Sequence, residues 1–206
     1  MIGNVTGLAS VQGFSFANSF SADYPTASFL DQTRAVAVTG VLTTRTDANT
    51  GTITMDSASH GIASSARVSV SWLNVTSGLI EVQHKVTVGT VSGTSVPIDL
   101  GVGVDLPLAL VAVAVSVEVP FDLNAELDTI NLVGVSALAP AQIVLENAGG
   151  TIGLAVTIQA ADKAYIWSIS SGITIPVTTD VVKAFVANCS SLIVNRVNVA
   201  IANAAP

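Results

Sequence analysis

The chain has 206 residues, of which 50% are hydrophobic and only 10% charged, and its mean hydropathy is +0.67. Soluble domains carry roughly 25% charged residues, and a disordered chain needs high charge and low hydrophobicity, so disorder is excluded. Fourteen acidic residues against seven basic ones exclude a module that grips nucleic acid by neutralising phosphates.

In chain order, residues 1–35 come first. They are rich in Ser, Ala, Gly and Phe and show no clear period. Phe14, Phe16, Phe20, Tyr24 and Phe29 are five of the ten aromatic residues. A segment so poor in charge and so studded with rings predicts an extended N-terminal arm docked on its own domain or on a neighbouring subunit, with an ordinary first strand or two of the domain as the equal alternative. Phe14, Phe16 and Phe20 are its expected interface anchors. A short helical turn is expected near 26–34. No Lys or Arg precedes Arg34 and no continuous apolar stretch follows Met1, so a standard export signal is not expected.

Residues 36–120 read as a first β unit. Val, Ile and Thr make up about a third of the whole chain, and β-branched side chains favour strands. Val68, Val70 and Trp72 alternate with Ser69 and Ser71, and Ile80, Val82, His84, Val86 and Val88 alternate with Glu81, Gln83, Lys85 and Thr87. This period of two predicts half-buried antiparallel strands. Turn residues separate the runs at 47–51, 74–78 and 92–94. In 108–119, Val111, Val113, Val115, Val117 and Val119 line one face, while Leu108, Leu110, Ala112 and Ala114 lead the other. Both faces start apolar, which predicts a strand that begins in a two-sided core or an interface. The longest apolar run, residues 106–117, falls short of the roughly 18 residues a membrane helix needs and contains Pro107. A membrane protein is not expected.

Residues 121–128 are the most acidic stretch and read as a linker. Residues 129–206 read as a second β unit, with Ile152, Leu154, Val156 and Ile158 in alternation and a helical turn near 179–185. The last strand, 192–203, has Arg196 as its one charge. It is expected to be a flat edge that assembly would cover.

Candidate chemistry is sparse. Cys189 is the only cysteine, so no intrachain disulfide can form, and no His lies near it in sequence to activate a thiolate. His60 sits in a Ser-His-Gly turn and is expected to bond to backbone. His84 sits on an apolar strand face and is expected to be structural. Asp99 with Asp105, or Asp122 with Glu126 and Asp128, could supply paired carboxylates, and the second set could hold a Ca²⁺. Solvated loop acids are the plainer reading of both. Gly101-Val102-Gly103 lacks the third glycine of a dinucleotide fingerprint. Trp72 is in phase with Val68 and Val70 and is expected in the core. Tyr165 and Trp167 share one side of a short strand. They are expected in a core or a subunit interface, and are the first choice for a glycan platform. No catalytic residue, metal ligand or cofactor is expected.

The segment Gly51-Thr-Ile-Thr-Met-Asp-Ser-Ala-Ser-His60-Gly61-Ile62, followed by Arg67-Val-Ser-Val-Ser-Trp72, resembles a small β-barrel module of tailed-bacteriophage virion proteins. Residues 86–99 and the Gly103-Val104-Asp105-Leu106-Pro107 stretch are similar to members of the same group. The likeness covers residues 40–107. Where the pattern has a Gly-Asp pair after the His-Gly turn, this chain has Ser65-Ala66.

Together these readings predict an all-β chain: an N-terminal arm (1–35), a barrel-like antiparallel unit (36–120), a linker (121–128) and a sandwich or jelly-roll-like unit (129–206). The resemblance implies a phage virion structural protein, most simply a capsid decoration protein found in the virion and assembled in the host cytoplasm. Its expected partners are further copies of itself and other virion proteins such as the major capsid protein. A tail-tube, tail-adaptor or fibre protein is the neighbouring alternative. A carbohydrate-binding β-sandwich using Tyr165 and Trp167 is the alternative of a different class.

Overall fold

The computed structural model describes residues 10–11, 14–15, 26–101, 105–160 and 163–203. The described chain is all-β, with two single-turn 3₁₀ segments at Leu127–Thr129 and Ile169–Ser171. The short strands β1 (Ser10–Val11) and β2 (Phe14–Ser15) pair with each other. Strand β3 spans Thr26–Arg34. Then come β4 (Val38–Arg45), β5 (Thr50–Met55), β6 (Arg67–Leu73), β7 (Ile80–Val88), β8 (Ser95–Asp99) and β9 (Val111–Val117). The remainder are β10 (Val119–Ala125), β11 (Ile130–Ala137), β12 (Ala141–Glu146), β13 (Ile152–Ile158), β14 (Lys163–Ser168), β15 (Val181–Asn188) and β16 (Asn195–Asn203).

The chain divides into two compact units. One comprises residues 1–34, 120–186 and 195–206; the other comprises 35–119 and 187–194. In chain order, the second interrupts the first twice, at 35–119 and at 187–194.

The inserted unit is a closed barrel in the order β4-β5-β8-β7-β6-β9. Alternation puts Leu42, Ile53, Val68, Val70, Val86, Val88, Val96 and Val115 inside, each at most 1% exposed. Closure leaves this sheet without a free edge. Gly40 permits the tight β4–β5 approach, since a Cβ there would lie 2.6 Å from the carbonyl oxygen of Thr54. The β4–β5 turn is organised by Asp47, whose Oδ1 accepts the amides of Asn49 at 3.0 Å and Thr50 at 2.7 Å.

One expected pattern is broken by a bulge. Val68 pairs with Val86 but Val70 pairs with Gln83, so Ser69 faces two residues, His84 and Lys85. Lys85 takes φ +61° to make room. The extra residue reverses the alternation. Val86 and Val88 stay inside, while Ile80 and Val82 pair with Leu73 and Ser71 on the outer side. Residues 80–88 therefore do not share one face along their length, because periodicity carries no sign of an inserted residue. Ser65 has φ +62°, and its amide donates to Val88 O at 2.9 Å. Serine thus occupies a left-handed position where glycine is easiest.

The other unit is a sandwich of two four-stranded sheets, β14-β11-β16-β3 and β10-β15-β12-β13. Its strands pair first with last (β3–β16), second with seventh (β10–β15), third with sixth (β11–β14) and fourth with fifth (β12–β13). That nesting is a long hairpin folded over on itself, the order of a jelly roll. Both sheets feed one core, including Val133, Ile143, Leu145, Val181, Val197 and Ile201.

Four expectations are corrected here. Residues 26–34 are not a helical turn: they pair with β16 along its whole length, as the ordinary-strand alternative to an arm expects, and that pairing outweighs their mixed local propensity. The rest of the expected arm lies outside the described residues, apart from the backbone of β1 and β2. Residues 121–128 are not a linker, because Leu123 and Ala125 are buried on β10 while Asp122 faces outward. The acidic residues mask an alternating strand. Residues near 179–185 begin β15 rather than a helix. The last strand starts at Asn195, not 192, and is interior to its sheet, flanked by β11 and β3.

Candidate interaction surface

The candidate site is a groove on the outer wall of the barrel unit. Outward positions follow from the inward ones: with Val113, Val115, Val70 and Trp72 inside, Ala112, Ala114 and Ser71 turn out. Register sets Thr39 and Ser71 on either side of Ala114, and Val41 beside Ala112. Small side chains between larger neighbours leave a hollow of about 460 Å³, walled by Val41, Leu73 and Ile80 and also lined by Cys189 and Ser191. Its polar groups are mostly engaged. The Thr39 hydroxyl donates to the Asp56 carboxylate, and the Ser71 hydroxyl donates to Ala114 O at 3.3 Å.

The turn leading into β9 carries large apolar side chains into solvent. Leu108 is 74% exposed and Leu110 is 77% exposed. Leu110 also has φ +68°, a left-handed conformation that is costly for a residue with a Cβ. Elsewhere in the same unit, Val75 and Leu192 are about nine-tenths exposed. In the sandwich unit, Ile166, Ile169 and Ile173 are at least half exposed on and after β14, a terminal strand of its sheet.

The titratable groups are used for structure. His60 Nδ1 accepts the Ile62 amide at 3.0 Å, so Nε2, 3.1 Å from Gly93 O, carries the proton. This ties the 57–62 turn to the 92–94 turn. Glu118 is buried and accepts from the Ser69 hydroxyl at 2.6 Å, from the Lys85 amide at 2.9 Å and from the Arg67 guanidinium. Asp99 closes its own turn by accepting the Gly101 amide at 2.8 Å. Among the described residues, no three His, Cys, Asp or Glu side chains gather as a metal site, including Asp122, Glu126 and Asp128.

The expected interface residues separate into two groups. Phe14 lies on β2, where its backbone pairs with Val11; Phe16 and Phe20 lie outside the described residues. Tyr165 and Trp167 do lie on one side of β14, but that side faces the core. Trp167 is 5% exposed and its indole N–H donates to Ile173 O at 3.1 Å. Tyr165 packs against the same core, and burial raises its hydroxyl pKa above the ordinary value. Trp167 is closed off in the core and Tyr165 is half-buried against it, while the β14 alternation sends Ile166 outward.

The groove residues were not singled out from sequence. The signal that could have found them was the doubly apolar start of 108–119, where the face opposite the core valines is also apolar.

No protein-family model matches the chain, and no curated protein matches it. A solved structure titled "Structure of infectious bursal disease virus Gt strain" aligns with 96% of this chain and 74% of that one. The identity is 10% and the TM-score 0.17, a similarity too low to carry any argument.

Proposed function

We propose that this protein is a structural component of a tailed-bacteriophage virion, a capsid decoration protein that works by apolar contact rather than by catalysis. The observation that carries the reading is the set of large apolar side chains exposed in the turns and bends that join the strands, in a chain with 10% charged residues. An isolated exposed leucine needs no explanation, but a chain this poor in charge that also exposes Leu108, Leu110, Val75, Leu192 and Ile173 is suited to surfaces that meet other subunits. The jelly-roll order adds support, since that architecture serves in viral capsids, though also in lectins and cupins. The phage-like segment at 51–72 supports the same reading. Among the described residues, β3 and β14 are the terminal strands of their sheet, the position at which an extended segment of a neighbour could add.

The test is compositional. Virions of the phage carrying this gene are purified by density gradient and digested for quantitative mass spectrometry. Peptides of this protein in fixed ratio to the major capsid protein are expected. Abundance in the lysate with absence from particles would sink the reading. Deleting residues 1–24 then asks whether the N-terminal segment contributes to occupancy; normal occupancy by the truncated protein would remove the arm from the mechanism.

A further inference from the structure

We infer that the groove on the outer wall of the barrel unit receives a lysine side chain carried on an extended segment of another protein. Every residue that lines the groove belongs to the barrel unit. The inference goes beyond the virion reading and does not depend on it.

Shape selects the stem. Ala112 and Ala114 form a floor whose short side chains leave the space, and Val41, Leu73 and Ile80 wall it. The volume of about 460 Å³ lies within the range of ligand pockets. A lysine lays its four methylenes along apolar surface of this kind while its ammonium reaches a polar end. The stem fills only part of the hollow, which leaves room for the residues on either side of it.

Charge selects the head group. Asp56 is exposed and is the one charged residue of the lining. The Thr39 hydroxyl donates to its Oδ2; among the described residues nothing donates to Oδ1, and no basic side chain pairs with this carboxylate. The Ser71 proton is committed to Ala114 O, so Thr39 and Ser71 offer the groove lone pairs rather than protons. An anion would meet Asp56 with no basic side chain to offset it, whereas a cation with several protons finds a carboxylate and hydroxyl oxygens. Oδ2 is already engaged, so the fork of a guanidinium lacks one of its two acceptors. An ammonium needs a single oxygen and can turn its other protons to the hydroxyls. One exposed ion pair is weak, so affinity comes from the stem and its flanking residues together with the head group.

The experiment is a titration of the amide resonances of the full chain at neutral pH with n-butylammonium, which has the lysine stem and head group. Shifts at Ala112 and Ala114 are expected. Butanol, the same stem without charge, is expected to bind there roughly three- to fivefold more weakly, the factor an exposed ion pair supplies, and butyrate not at all. Asp56→Asn keeps an acceptor for Thr39. It is expected to bring butylammonium down to the level of butanol while butanol binding and the melting temperature stay unchanged. The peptide acetyl-Val-Ala-Lys-Ala-Val-amide is expected to bind roughly tenfold or more tighter than butylammonium, and its norleucine counterpart to lose that advantage. Equal affinity of butylammonium and butanol overturns the inference, as does butylammonium binding insensitive to Asp56→Asn. Tighter binding of butylguanidinium overturns the choice of lysine, and a peptide no tighter than butylammonium overturns the protein segment as its source. None of these readings involves particles, so virion incorporation stands or falls separately.

Discussion

The hydroxyl of Ser69 donates to Glu118 across the β6–β9 pair at 2.6 Å, and both side chains are buried although they point away from the barrel interior. Glu118 also takes the Lys85 amide that the β7 bulge turns toward it, and it pairs with Arg67. One carboxylate thus joins three strands. Removing it leaves a hydroxyl, an amide and a guanidinium short of a partner at once. Glu118→Ala is expected to cost about 3 kcal/mol, with Glu118→Gln costing roughly half because one acceptor oxygen remains. Urea unfolding measures both; equal stability of the two variants would show that charge, not acceptor geometry, matters.

His60 makes a comparable connection between turns. His60→Ala removes the acceptor of the Ile62 amide and the donor to Gly93 O. A loss of about 2 kcal/mol is expected. Faster amide exchange at Ile62, relative to the barrel strands, locates the effect. Unchanged exchange there would mean that water replaces the ring.

Ser65 holds φ +62° without a glycine. Ser65→Gly relieves left-handed strain of about 1–2 kcal/mol and gives back part of it through a freer unfolded chain. The net gain expected is about 0.5–1 kcal/mol, a rise of roughly 1–4 °C in Tm. A lower Tm would show that the serine side chain contributes more than its backbone costs.

Asp47 predicts a local pH response. The Thr50 side chain and the Thr50 and Asn49 amides hold its carboxyl below the ordinary value of 3.8. A lowered folded pKa means the ionised form is favoured by folding. Its contribution is complete above the ordinary value and disappears as pH falls through the folded one. The Thr50 amide resonance is expected to titrate with a midpoint below 3.8, and to lose that inflection in Asp47→Ala. A midpoint at or above 3.8 would contradict the arrangement.

The reading of local pattern and the structure diverge at identifiable residues. Val68, Val70 and Trp72 could be placed inside from their spacing alone, because three β-branched or aromatic positions in phase, alternating with Ser69 and Ser71, have only one face to bury. The bulge at His84–Lys85 could not, since a two-for-one register is a property of the partner strand, β6. Tyr165 and Trp167 were legible as a same-side pair, but whether that side was core or surface depended on where β14 joined its sheet. The groove over Ala112 and Ala114 needed four strands from distant parts of the chain to be set in register. Only the apolar start of 108–119 hinted at it.

By itself the sequence determined that this chain is all-β, with a barrel-forming stretch before a sandwich-forming one. Side-chain alternation and β-branching act over a few residues and require no knowledge of the rest. Tertiary structure alone decided that β3 belongs to the later sandwich, that an acidic stretch is strand β10, and that β16 is interior. Each of these is a pairing between residues far apart in the chain, and the free energy of such a pairing lies in the partner strand as much as in the segment itself.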